Sequence, residues 1–125
     1  MNAILQLRPG EAVHLRTLTG RISSVIPDII GLDVLFSLSH LILLQHSDCG
    51  AAAPYMTPES IHTHVADHLV AEGVVNDVLQ VDGEESVRTD LMALRTMKGM
   101  RKELVESATG LWWDMQTGLV RKVEI

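Results

Sequence analysis

The hydrophobic pattern changes period along the chain. In HLILLQH (residues 40–46) the apolar positions run together without alternation, which predicts a strand buried on both faces. Elsewhere the spacing is helical. Val25, Ile29, Leu32 and Phe36 share one helical face, so a helix is expected from Ser23 or Ser24, with Pro27 in its first turn, where a missing N–H costs little. MTPESIHTHVADHLVAEG carries the best-marked helix, with Thr57 as N-cap, Pro58 at the first helical position and Glu59 in the first turn. Ile61, Val65 and Leu69 form its apolar stripe, and Gly73 marks its end. Val87, Leu91 and Leu94 mark a further helix after a turn at VDGEES. Two segments alternate instead. AVHLR, between the Pro9-Gly10 turn signal and Gly20, reads as a short strand. The closing LWWDMQTGLVRKVEI reads as two strands joined at Gln116-Thr117-Gly118, with Trp112 and Trp113 facing opposite ways.

Strands alternating with helices in the first half predict an α/β fold, a mostly parallel sheet flanked by helices. The length of 125 residues suits one domain spanning 1–125. With aromatics at 3%, the core has to be aliphatic. A formal net charge of −6 argues against a nucleic-acid or anionic-membrane surface, since either would need clustered Lys and Arg. A single cysteine allows no internal disulfide, and no secretory signal or membrane-length apolar run is present. These features lead to the expectation of a reduced, cytoplasmic protein.

In open α/β sheets ligands bind beyond the carboxyl ends of strands, and LILLQHSDCGAAA puts His46 and Cys49 at such an end. Imidazole and thiolate are the donors zinc favours, and a following helix start would help ionise Cys49. Other readings of the same residues are a buried packing cysteine or a Cys49–His46 nucleophile and base, which lacks an evident third group to orient the histidine. HTHVADH places His64 and His68 at i and i+4, a spacing that can chelate, with His62 beside them. It also reads as a half-exposed histidine face bordering the apolar stripe. No phosphate-binding glycine motif is present.

LILLQHSDCGAAA resembles the second metal motif of the β-class carbonic anhydrases, where a buried strand ends in an H-x-x-C-G turn. LRPGEAVHLRTLTGRI is similar to the family's segment in which a Pro-Gly turn leads into a strand ending in Arg, EESVRTDLMALR to its late helix and GLWWDMQTGLVRKVEI to its closing strand, all in the family's order, with Arg16, Asp114, Thr117 and Gly118 at matching places. The resemblance implies one zinc held by two cysteines and a histidine, reversible hydration of carbon dioxide to bicarbonate, and a dimer. His46 and Cys49 match two of the three protein ligands. The family's C-x-D-x-R motif, which supplies the other cysteine and an Asp–Arg pair, does not occur within these 125 residues. By the resemblance it would precede Met1, on a central strand of the sheet. The chain is therefore expected to be N-terminally shortened relative to the family, with AVHLR and LILLQ obliged to pair differently or to expose an edge. Three explanations stay open: a longer protein, a shortened relative that has lost the chemistry and acts through dimerisation or partner binding, or a partner chain that fills the gap. A related zinc hydrolase, acting for example on carbonyl sulfide, would use the same metal chemistry.

Overall fold

A computed structural model of the chain describes residues 2–49, 57–75 and 83–125. The turn expected at Gly50–Ala53 and the start of the turn at residues 81–86 lie outside the described residues. The elements are α1 (Asn2–Leu5), a 3-10 turn (Ile22–Val25), α2 (Ile26–Phe36), β1 (Ile42–His46), α3 (Pro58–His64), α4 (His68–Val74), α5 (Gly83–Thr96), α6 (Lys102–Ser107), β2 (Thr109–Trp113) and β3 (Val120–Val123).

The three strands form one mixed sheet in the order β1-β2-β3. β1 and β2 are parallel, running in register from Ile42↔Thr109 to His46↔Trp113. Parallel neighbours need a long crossover, and the helical segment between them supplies it. β2 and β3 form the expected antiparallel hairpin, with Trp113 opposite Val120. Gly118 takes a φ of +74°, which suits glycine, and its N–H bonds to Asp114 O at 2.8 Å.

α5 packs across the sheet because its apolar residues recur on one face. Val87, Leu91 and Leu94 are buried there, joined by Leu43, Leu104, Val105 and Val123. Full burial of each large aliphatic side chain contributes about 1.5–3 kcal/mol. The fit against β2 is close: a Cβ on Gly110 would lie 2.5 Å from Val87 Cγ1 and 2.7 Å from Leu91 Cδ1. Of the two tryptophans, Trp112 packs on this core, while Trp113 sits beside His46.

Four sequence expectations need correction. AVHLR is not a strand, and residues 11–17 carry no regular structure. Alternation makes a strand only where an edge is offered for pairing, and among the described residues none pairs with it. β1 is not buried on both faces: Leu43 and Gln45 are buried, whereas Ile42 is exposed and Leu44 and His46 are half-buried. The described core lies on one side of the sheet only. The helix expected through Gly73 is two helices. Thr57 caps α3 as expected, in a capping box with Ser60, but the backbone becomes extended at Val65. Asp67 then starts α4 by accepting from Leu69 N and Val70 N. Gly73 lies within α4 rather than ending it, and Leu69 is exposed. Finally, α2 begins at Ile26 after the 3-10 turn. Of its predicted stripe Ile29 is buried, whereas Phe36 is exposed.

Candidate metal centre

The carboxyl end of β1 is held by its neighbour. Past the last paired residue, Ser47 N donates to Trp113 O at 3.0 Å, and Ser47 Oγ accepts from Met115 N at 2.8 Å. Asp114 fixes the other side of this junction. Its Oδ1 accepts from Gln116 N at 2.8 Å and from Thr117 N at 3.3 Å. Those backbone N–H groups hold its carboxyl below the ordinary range, with smaller help from the Thr117 hydroxyl and Arg121. Asp48 then turns the chain with a φ of +54°, a conformation Asp tolerates better than most residues.

This turn delivers both sequence-predicted ligands to one cavity of about 310 Å³, lined by His46 and Cys49 together with Arg16 and Trp113. His46 Nδ1 lies 2.7 Å from Ser47 O. A carbonyl can only accept, so Nδ1 carries a proton, and in the neutral imidazole this puts the lone pair on Nε2, the tautomer a metal needs. The Trp113 ring meets the imidazole edge-on at 6.3 Å between centroids. Cys49 is a free, half-buried thiol whose Sγ contacts Leu18 O at 3.7 Å, a weak bond that competes little with a metal. Arg16, exposed at the rim, forms no ion pair among the described residues.

The other histidines do not join this cavity. His64 and His68 do not share a helical face, because the chain breaks between α3 and α4. His64 Nδ1 bonds to Ser60 O at 2.7 Å, and His68 stacks on His62 at 5.3 Å. Among the described residues no three His, Cys, Asp or Glu side chains gather where they could hold an ion. A zinc site wants four ligands, and of the candidate donors only His46 and Cys49 line this cavity among the described residues.

Sequence reasoning missed the residues that position the cavity wall. Arg21 and Asp90 form a buried ion pair: Nε lies 3.0 Å from both carboxylate oxygens and Nη2 lies 2.9 Å from Oδ1. Asp90 Oδ2 also accepts from Ile22 N at 3.0 Å. This clamp fastens the chain just after Gly20 to α5. A signal existed in Asp90, which falls three residues after Val87 and four before Leu94, on the apolar stripe of its helix. Gln45 was legible in the same way, as a polar residue alternating with Leu43 on the buried face of β1.

Neither a protein-family model nor a curated protein sequence matches the chain. Solved structures do. A carbonic anhydrase from Streptococcus mutans is 28% identical, with a TM-score of 0.77 over 98% of this chain and 73% of that one. A β-carbonic anhydrase from Trichomonas vaginalis is 16% identical, with a TM-score of 0.64 over 98% and 72%. The apo form of a carbon disulfide hydrolase is also 16% identical, with a TM-score of 0.78 over 99% and 72%. Taken with His46 and Cys49 at the tip of a strand parallel to its neighbour, these likenesses give the chain a β-carbonic-anhydrase-like fold.

Proposed function

We propose that the chain is a carbonic-anhydrase-like zinc protein in which His46 Nε2 and Cys49 Sγ hold two corners of the metal site. The observation that carries this reading is their meeting in one cavity at the end of β1, with the His46 tautomer already set by Ser47. Bound zinc would supply a water that ionises near neutral pH, the chemistry of carbon dioxide hydration. His46 and Cys49 would orient the ion. Arg16, at the rim, would attract an anionic product such as bicarbonate. The remaining ligands would come from outside the described residues. The likeness to a carbon disulfide hydrolase leaves a related small molecule as an alternative substrate under the same metal chemistry.

A second reading has its own support: a non-catalytic relative acting through dimerisation or partner binding. α2 ends in Val34, Leu35 and Phe36, exposed by 79%, 73% and 63%, an apolar run that a lone chain leaves in water. Metal analysis and stopped-flow carbon dioxide hydration separate the two readings. The zinc reading expects roughly one zinc per chain, lost in Cys49→Ser together with hydration. Absence of zinc and hydration in an oligomer of defined size would favour the second.

A further inference from the structure

The histidines of HTHVADH pair differently from the i, i+4 expectation. His62 lies on α3 and His68 opens α4, with the chain extended at Val65 between them. Their rings are nearly parallel, at 17°, with centroids 5.3 Å apart. His62 is half-buried, and its Nε2 is buried with no hydrogen-bond partner among the described residues. A buried ring nitrogen left unmatched is costly, whether it carries a proton or a lone pair. His68 is exposed. His64 is exposed as well, with Nδ1 turned back to Ser60 O at 2.7 Å.

The spacing of the His62 and His68 rings fits a shared ion. Metal–nitrogen lengths of about 2.0–2.1 Å and a tetrahedral angle put the centroids of two imidazoles on one ion about 5.2 Å apart. Stacked rings do not aim their nitrogens at one point, so one ring has to turn about its χ2. The exposed His68 is the less constrained of the two.

We propose that His62 Nε2 and a ring nitrogen of His68 bind a zinc-like divalent cation, which staples α3 to α4 across the extended joint at Val65. Imidazole is a donor that such ions favour. Neighbouring charge supports a cation: Glu59, three residues before His62, and Glu72, four after His68, share their helix faces. The positive end of α4 works against it. Asp67 offsets that end, its carboxylate accepting from Leu69 N and Val70 N. No third His, Cys, Asp or Glu joins the pair among the described residues, so water completes the shell. Two protein ligands hold an ion exchangeably. The site therefore empties on desalting and adds nothing to a count of retained zinc. What the staple changes is order. α3 and α4 have seven residues each, too short to persist as isolated helices, and an ion that binds only the joined pair stabilises both. Neither His46 nor Cys49 takes part.

The test titrates zinc into the whole chain carrying Cys49→Ser, which removes the proposed sulfur ligand beside β1. Imidazole nitrogen resonances and amide exchange are followed together. Zinc should move the His62 and His68 resonances in step and leave His64 in place. Amide exchange in α3 and α4 should slow by about threefold or more, while α5 should not change. His68→Ala should abolish both effects, and because His68 is exposed the fold should survive the change. His62→Ala should abolish them too, whereas His64→Ala should leave them intact. Failure here would leave the metal chemistry expected at Cys49 untouched, and failure at Cys49 would leave this titration untouched. Three results overturn the inference: no movement of His62 and His68 at saturating zinc, equal slowing of exchange in His68→Ala, or loss of binding in His64→Ala.

Discussion

The two sides of β1 are held in different ways. Toward β2 and β3, every strand position is paired, α5 covers the buried face with Val87, Leu91 and Leu94, and Gly110 leaves no room for a side chain. Toward Leu15–Gly20, among the described residues no strand pairs with the edge, Thr17 Oγ1, Gln45 Oε1 and Trp113 Nε1 lack a hydrogen bond, and a cavity remains. The first half is closed by apolar packing, which this chain supplies for itself. The second half carries His46 and Cys49, which line the cavity where packing stops. Packing and the proposed metal ligands thus lie on opposite sides of one strand.

The comparison can be broken most severely at the clamp that holds the open side in place. Asp90→Ala removes the carboxylate that ties buried Arg21 and Ile22 N to α5 and should cost about 3–5 kcal/mol in urea unfolding. If Arg21 only decorates the surface, the loss will be small. A lesser effect should follow on the closed side. Gly110→Ala forces a methyl against Val87 and Leu91 and should cost about 1–3 kcal/mol, whereas Gly31→Ala, where nothing lies within 4 Å, should be tolerated or stabilising.

The smallest effect concerns pH. Asp114 has its carboxyl lowered by the N–H groups of Gln116 and Thr117. A depressed carboxyl stabilises the fold above its unfolded value near about 4 and loses that contribution as pH falls through the folded value. Asp33 behaves alike, lowered chiefly by the Arg101 hydrogen bonds at 3.0 and 2.7 Å. Asp114→Ala should therefore flatten the fall in melting temperature between pH 5 and about pH 2 without removing it. Double substitution with Asp33→Ala should flatten it further.

Much of the closed half was legible in the sequence, because its signals are local. The apolar run at Leu41–Leu44 marks a strand, though only one of its faces is buried, while the stripe Val87–Leu91–Leu94 and the turn at Gln116–Gly118 report the burial and reversal of their own segments. His46 and Cys49 were legible for the same reason, being three residues apart on one turn. AVHLR was misread because its alternation is necessary for a strand but pairing is supplied by another segment. The helix from Thr57 was read as one because its stripe runs on through Val65. The competing cap at Asp67 was present in the letters but outweighed by the period. The Arg21–Asp90 clamp joins residues 69 positions apart, and nothing in either neighbourhood names the other. The unmatched atoms around Gln45 are a property of the assembled cavity, so no segment alone announces them.

The central claim is that one ion is shared by His46 and Cys49, and cobalt substitution tests it most directly. Cobalt added to the reduced chain should give a thiolate-to-metal charge-transfer band that saturates at one equivalent, disappears in Cys49→Ser and weakens in His46→Ala. A band that survives Cys49→Ser, or no band at saturating cobalt, would contradict it.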